Sequence, residues 1–249
     1  MTETAKRGYR RPATLKDAIT HYCPGCGHGI VHRLIAEIIE EQGLHDKCVG
    51  MAPVGCAVMA YCYLDIDMCE AAHGRTPAVA TGIKRALSDH LVFSYQGDGD
   101  LAAIGTAEII HAANRGENIS VIFINNAVYG MTQGQMAPTT LVGQKTTTTP
   151  LGRDAKTEGH PIRVCELLAT LNNAVYLART TVASPKHVRE TKKAIERAFL
   201  TQQMKQGFSL VEVLSPCPTY WRMAPEDAMK HCLAAMAETF PLGVYRDWK

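Results

Sequence analysis

Apolar residues along this chain fall into two rhythms. Between His28 and Gln42 they recur at Ile30, Val31, Leu34, Ile35, Ile38 and Ile39, and Gly43 closes the stretch. That spacing lines one face of a helix. The second rhythm is the short unbroken run: Lys47 to Met51, 91–96, 119–125, Ala174 to Val182 and Phe208 to Leu214. Runs of this length without alternation predict strands buried on both faces, as in a parallel sheet. Helical stretches separate them, at 78–87 behind Pro77, at 102–115, and from Ser184-Pro185 to about Lys205. A last amphipathic helix runs from Pro225 to about Phe240. The prolines at first-turn positions mark where these helices begin. Strands alternating with helices predict one α/β domain, an open, mostly parallel sheet with helices on both faces. Residues 1–20 carry neither rhythm and read as an N-terminal arm, which leaves 21–249 as the domain.

Two polar knots end successive strands. Gly97-Asp98-Gly99-Asp100 follows one, and Asn125-Asn126-Ala127-Val128-Tyr129-Gly130 follows the next. In a strand–helix–strand unit both C-terminal ends reach the same sheet edge, where open α/β folds bind ligands. An Asp-Gly pair after an apolar run is by itself a turn. The second knot changes the picture, because Asp98 and Asn126 then present oxygens to one crevice, with glycines that let backbone approach. Hard oxygens so arranged suit a Mg²⁺ carrying a diphosphate, as in a thiamine-diphosphate site. The stretch from Gly130 to about Pro161, with Thr146-Thr-Thr-Thr149-Pro150, is too long for an ordinary connection. Since it begins at the second knot, it is expected to cover the site.

Composition narrows the partners. With 249 residues, 46% of them apolar, the chain can bury a full core. Its 26 basic and 24 acidic residues are balanced, and no basic run interleaves with aromatics, which excludes a nucleic-acid footprint. Lys6-Arg7 with Arg10-Arg11 form one small basic cluster, suited to a solvated or partner-docking arm. No apolar run is long enough to span a membrane and Met1-Thr-Glu-Thr is polar, so a cytoplasmic protein without a membrane partner is expected.

The cysteines at 23, 26, 48, 56, 62, 69, 165, 217 and 232 number nine, an odd count that argues against a disulfide scaffold. Cys48 lies in a strand, and Cys165 and Cys232 lie on helical stripes, which are core positions. Cys62 and Cys69 flank Tyr63-Leu-Asp-Ile-Asp67 and carry no assignment. Cys23-Pro-Gly-Cys26 reads as a redox pair, half a zinc site or half an iron–sulfur site. The arm before it does not look like the strand a thioredoxin-like unit needs. Cys56 and Cys217 follow strands and reach the edge that carries Asp98 and Asn126. Four thiolates suit zinc or a [4Fe–4S] cluster alike. The diphosphate crevice beside them favours redox chemistry.

Taken in order, Cys23-Pro-Gly-Cys26-Gly-His28, Val54-Gly55-Cys56, His73-Gly-Arg-Thr-Pro-Ala, Ala80-Thr-Gly-Ile-Lys84, both polar knots and Ser215-Pro-Cys217-Pro-Thr form a specific set. The set resembles the β, or thiamine-diphosphate-binding, subunit of the 2-oxoacid:ferredoxin oxidoreductases over nearly the whole chain after the arm. By that resemblance Cys23, Cys26, Cys56 and Cys217 hold a [4Fe–4S] cluster. Asp98, Asn126 and the Val128 carbonyl bind Mg²⁺. Gly99, Asp100, Gly130 and Met131 cradle the diphosphate, while Val54, Gly55, Cys56, Ala57 and His73 lie against the thiamine. Cys56 and His73 would be the catalytic pair, the first between cluster and cofactor on the electron path. His73 would either assist proton transfer or be a loop histidine bonded to backbone. Gln133 stands where the family often has Gly or Lys, so no lysine-based CoA or substrate contact is implied.

The implied reaction is CoA-dependent oxidative decarboxylation of a 2-oxoacid to acyl-CoA and CO₂, with electrons passed to ferredoxin. A glutamate for the aminopyrimidine ring would come from a second α/β domain that is not evident here. An α subunit, with γ or δ subunits beside it, and ferredoxin are therefore the implied partners. The segments Cys217-Pro-Thr-Tyr-Trp-Arg-Met and Phe240-Pro-Leu-Gly-Val resemble branched-chain and 2-oxoglutarate members more than pyruvate ones. Two other readings stay open: a non-redox thiamine-diphosphate decarboxylase or acyl transferase with zinc or no metal at the cysteines, and a zinc-stabilised binding module.

Overall fold

The computed structural model describes residues 10–248, so Lys6 and Arg7 of the basic cluster and the first nine residues of the arm lie outside it. Its strands are β1 Cys48–Ala52, β2 Asp67–Glu70, β3 Leu91–Gly97, β4 Ser120–Asn125, β5 Ala174–Thr181, β6 Phe208–Leu214 and β7 Gly243–Asp247. They form one seven-stranded sheet in the order β2-β1-β3-β4-β6-β5-β7. All pairs are parallel except β5 with β7, so the sheet is the open, mostly parallel one that the apolar runs predict. The helices are α1 His28–Glu41, α2 Ala60–Tyr63, α3 Thr76–Ala86, α4 Thr106–Arg115, α5 Val164–Ala169, α6 Pro185–Gln203, α7 Pro218–Trp221, α8 Pro225–His231 and α9 Ala237–Thr239.

Strand periodicity divides the core. Leu91, Phe93 and Tyr95 of β3, Ile122 and Ile124 of β4, and Val211 and Val213 of β6 face one layer with α1 and α6. The alternate positions, Val92, Val121, Phe123 and Leu210, face the other layer with α4 and α5. Helices thus cover both faces, and each fully buried Leu, Ile or Phe contributes about 1.5–3 kcal/mol. The described part of the arm is bound to the domain rather than free of it. Lys16 donates its backbone N–H to Tyr63 O at 2.9 Å and Asp65 donates to Thr14 O at 2.8 Å.

Several elements depart from the expected pattern. β2 and β7 sit at the two edges with partly exposed faces, so neither carries an apolar run. The helix expected from Ala102 is preceded by a wide π-turn, Gly99–Ile104, and α4 starts only at Thr106. The helix expected from Pro225 to Phe240 is likewise broken by a π-turn at Cys232–Met236.

The topology creates the crevice. The chain leaves β1 towards β2 on one side and leaves β3 towards β4 on the other, so the loops after β1 and β3 part company above the sheet.

One buried charge network reaches from the far side of the sheet into this edge. Arg179 and Glu212 are both fully enclosed and pair at 2.8 Å (Nε to Oε2), and Glu166 takes the other end of the guanidinium. Glu212 Oε1 accepts Asn125 Nδ2 at 2.8 Å, and Asn125 Oδ1 accepts the Ala127 N–H at 3.1 Å. Ala127 has a left-handed φ of 56°, which that bond helps to hold. Arg179→Met should leave Glu212 buried without its counter-charge and cost about 3–5 kcal/mol in urea unfolding. A cost below about 1 kcal/mol would show that the network is incidental.

Candidate functional site

Loops after β1, β3, β4 and β6 meet at one sheet edge, because these strands are parallel neighbours. Asp98 heads the loop after β3 and is 3% exposed. Burial pushes its carboxyl up to about 6, while donors from Thr139 Oγ1 (2.8 Å), Gly99 N (2.9 Å) and Val128 N (3.2 Å) pull the other way. Asn126 stands beside it. With its nitrogen inward, the amide donates to Asp98 Oδ2 at 3.2 Å and to the Val128 carbonyl at 2.7 Å. With its oxygen inward, three oxygens converge, with the Val128 N–H donating to Asn126 Oδ1 at 3.3 Å and to Asp98 Oδ2 at 3.2 Å, an arrangement that a cation would also satisfy. Octahedral Mg²⁺ at about 2.0–2.1 Å places neighbouring ligand oxygens about 3 Å apart. The trio Asp98, Asn126 and Val128 O fits that ion.

Asp100 turns the other way. Its carboxylate is enclosed and accepts from Val54 N (3.3 Å), Gly74 N (2.9 Å), Thr76 Oγ1 (3.4 Å) and Gln96 Nε2 (2.7 Å). His73 Nδ1 lies 2.7 Å from the same group. A carboxylate in this shell has no oxygen left for the crevice and would repel a diphosphate, so any part Asp100 takes in a cradle falls to its backbone. The bond also fixes the His73 tautomer. Nδ1–H donates to Asp100, which leaves Nε2 with its lone pair on a side chain that is 41% exposed. His73 is thus bonded to a carboxylate rather than to backbone.

The cysteines sort by place. Cys23, Cys26, Cys56 and Cys217 all line one cavity of about 190 Å³, with Asn126, Gly130 and Met131 also in its wall. Cys48, Cys165 and Cys232 are buried in the core, and Cys62 and Cys69 are not in that wall. Burial pushes the Cys56 and Cys217 thiols each up to about 12, and the charges of Cys26 and Asp98 add to the push. Such thiols ionise only against a positive partner. A methyl group on Gly130 would stand 3.0 Å from Cys56 Sγ, 3.7 Å from Asn126 Nδ2 and 3.9 Å from Cys217 Sγ. Gly130 is therefore where the cysteine cavity and the oxygen trio touch. Trp221 on α7 ties the same corner, donating Nε1–H to Asn126 O at 2.9 Å.

The Thr-rich stretch differs from the expected cover. Thr139 and Thr140 are fully buried, and Thr140 Oγ1 and Gln144 Nε2 both donate to Ala127 O, at 2.8 and 3.0 Å. Arg153 donates to the carbonyls of Pro138, Thr140, Glu158, Gly159 and His160, which stands in for a regular element. Much of the segment buttresses the second knot from within. Thr139, which reaches Asp98, has no sequence signal beyond the threonine richness around it. Gln133 is exposed and has a φ of 80°, a conformation that favours glycine.

Beneath the Cys23–Cys26 loop lies a cluster of rings. Tyr22 stacks on His28 at 4.7 Å, its hydroxyl lies 3.2 Å from His32 Nε2, and His28 Nδ1 lies 2.7 Å from Tyr95 OH. Burial pushes His28 and His32 down to about 3.

Residues 53–213 match the family described as thiamine pyrophosphate enzyme, C-terminal TPP binding domain. The chain is 50% identical, over 97% of its length, to the ketoisovalerate oxidoreductase subunit VorA of Methanothermobacter thermautotrophicus, covering 53% of that protein. It is 39% identical over 85% of its length to the 2-oxoglutarate synthase subunit KorB of Archaeoglobus fulgidus, covering 75% of it. The solved 2-oxoglutarate:ferredoxin oxidoreductase of Magnetococcus marinus superposes with a TM-score of 0.79 at 25% identity, over 98% of this chain and 86% of the other. The chain spans about half the length of the VorA relatives. No helix among the described residues is long and apolar enough to cross a membrane.

Thr139→Val keeps the volume and removes the hydroxyl from Asp98. It should weaken Mg²⁺–thiamine diphosphate binding about 10-fold or more by titration calorimetry, and an unchanged affinity would remove Thr139 from the site. His32 gives a pH prediction. Its folded pKa lies below the unfolded value of about 6.5, so the unfolded chain binds the extra proton. Stability should therefore fall as pH drops below about 6.5, by about 1 kcal/mol per unit from this group alone. His32→Phe should flatten that part of the urea-midpoint profile between pH 6 and 4, and an unaltered slope would refute the assignment.

Proposed function

Because this chain belongs to the thiamine pyrophosphate-binding subunits of the 2-oxoacid:ferredoxin oxidoreductases, we propose that it binds Mg²⁺–thiamine diphosphate and a [4Fe–4S] cluster side by side. Its reaction is then the CoA-dependent oxidative decarboxylation of a 2-oxoacid, with electrons passing to ferredoxin. The observation that carries this reading is Gly130, where a Cβ would stand within 3.9 Å of Cys56 Sγ, Cys217 Sγ and Asn126 Nδ2 alike. When bound, thiamine diphosphate supplies the carbanion chemistry that releases CO₂, and the cluster takes electrons singly.

The chain's own residues have distinct tasks. Asp98, Asn126 and the Val128 carbonyl hold the cation. Gly99 and Gly130 keep the backbone low enough for a diphosphate, and Met131 follows at the rim. Val54 to Ala57 form the wall that meets the thiamine, tied down where Val54 N–H reaches Asp100. His73 Nε2 is the free base of an Asp–His pair and accepts or returns a proton in the crevice. Cys23, Cys26, Cys56 and Cys217 hold the cluster. A single Zn²⁺ draws its thiolates to about 2.3 Å from one point. The four cysteines line one cavity of about 190 Å³, which leaves room for a polynuclear group. Substrate follows the relatives at 50% and 52% identity, which are ketoisovalerate oxidoreductase subunits, so a branched-chain 2-oxoacid is proposed. An α subunit or its fused equivalent supplies the remaining contacts.

The test begins with protein purified without oxygen, together with any chain that accompanies it. Iron and sulfide in equal amounts, and viologen reduction that needs CoA and is fastest with 2-oxoisovalerate rather than pyruvate or 2-oxoglutarate, are the expected results. Thiamine-diphosphate binding without iron would point to a non-redox enzyme. Thermal protection by Mg²⁺–thiamine diphosphate should reach about 2.7 kcal/mol at 100 times Kd. In Asp98→Ala that protection should vanish, and protection that survives would overturn the cation site.

A further inference from the structure

His21 belongs to no regular element and none of the sequence motifs includes it. Its ring nevertheless joins two loops. Nε2 lies 2.9 Å from the Cys56 carbonyl, and Nδ1 lies 2.6 Å from the Tyr63 hydroxyl. Tyr63 OH also receives the His21 backbone N–H, at 3.0 Å. These bonds fix every proton. A carbonyl only accepts, so Nε2 carries the hydrogen and donates to Cys56 O. Nδ1 of the neutral ring then accepts from Tyr63 O–H, whose oxygen is left to accept the backbone N–H. Each group has one role and none conflicts.

The consequence is mechanical. Tyr63 is buried at the end of α2, so its hydroxyl is a fixed post. His21 stands two residues before Cys23, and through its ring the Cys23–Cys26 loop is braced against the peptide of Cys56. Other braces near Cys23 include the Cys26 N–H to Cys23 O turn at 3.0 Å, the Tyr22 stack on His28 and the Tyr22 hydroxyl 3.2 Å from His32 Nε2. None of these reaches the Cys56 peptide.

We propose that His21 is a positioning residue that sets the distance between the two cysteine loops and so the seat of Cys56 between cluster and thiamine. The proposal rests on the cluster reading given under Proposed function. His21 lines the cysteine cavity, but both its ring nitrogens are taken, by the Cys56 carbonyl and the Tyr63 hydroxyl, so it has no atom left to ligate the cluster. It acts through the Cys56 peptide, as outer partners of metal ligands do.

The test compares His21→Phe, which keeps the ring's bulk, with His21→Gln, whose Nε2–H can still reach the Cys56 carbonyl, in anaerobically purified complex. Iron loss to a chelator should be about 10-fold faster in His21→Phe, in the range of outer-partner losses in metal sites, with altered g-values in the reduced cluster's EPR spectrum. His21→Gln should restore both readouts to near wild type. Tyr63→Phe should give an intermediate loss, since the ring keeps its donor but loses its post. Wild-type iron retention and spectrum in His21→Phe would overturn the role of His21 while leaving the cluster intact. Loss of both readouts in Phe and Gln alike would also overturn it, because bulk rather than the donated bond would then matter. Wild-type protein without iron and sulfide would overturn the cluster reading, and His21's role with it.

Discussion

The site depends on one enclosed carboxylate. Asp100 is 1% exposed, and a lone ion at that depth would cost several kcal/mol to desolvate. It is tolerable only because donors converge on it from the loop after β1, from residues 73–76, and from β3 itself. The need runs both ways. Removing the carboxylate would strand the buried N–H of Gly74 and the amide of Gln96, each with a desolvation penalty of about 1–3 kcal/mol. The loops that carry Val54 and His73 are thus set by a carboxylate enclosed among their own donors. Backbone contacts close the wide π-turn beside it. Gly105 N–H reaches Asp100 O at 3.0 Å, and a Cβ on Gly105 would stand 2.4 Å from that oxygen. Gly74, at a φ of 77°, meets Gly105 just as closely. Two glycines let two loops touch, and the carboxylate holds them there.

A second layer of buried polar groups serves the other knot. Arg179, Glu212 and Asn125 pass a charge-assisted chain across β5, β6 and β4 to the Ala127 N–H. Arg153 ties residues 138–160 together by donating to five carbonyls of that segment. Irregular backbone near the cation trio is therefore rigid by construction. Such rigidity suits a site whose ligands include a backbone carbonyl, since that oxygen cannot adjust through a side-chain rotamer.

The sheet was legible from the sequence because parallel strands buried on both faces leave unbroken apolar runs, and β1, β3, β4, β5 and β6 all do. The edges β2 and β7 were not, since a half-exposed strand of four or five residues carries no such signal. Asp98, Asn126 and the four cysteines stood out because each lies in a short motif at a strand end. Thr139 and His21 were hidden for the opposite reason. Their partners, Asp98 and Cys56, lie 41 and 35 positions away, and only the folded chain brings them together. Asp100 was expected in a diphosphate cradle, whereas its carboxylate accepts from Val54, Gly74, Thr76 and Gln96. It follows Asp98 by two, and the π-turn, which local spacing does not announce, sends the two carboxylates to opposite sides.

Closeness of the two proposed cofactor seats puts the sharpest demand on a single position. Any side chain at Gly130 would enter the space between Cys56 Sγ and Asn126, so the separation of metal–diphosphate and cluster is set by backbone alone. An alanine there would have to push the Cys56 sulfur by a few tenths of an ångström, or tilt the amide that completes the oxygen trio. Either movement disturbs both seats at once. The same economy explains why the ligands sit on loops at one sheet edge rather than on helices. Parallel strands deliver four loops within a few residues of each other, whereas helices packed on opposite faces of the sheet are kept apart by its thickness. What remains for the loops is to be held still, and the buried carboxylate, the arginine staple and the braced peptide of Cys56 each do this for a different one.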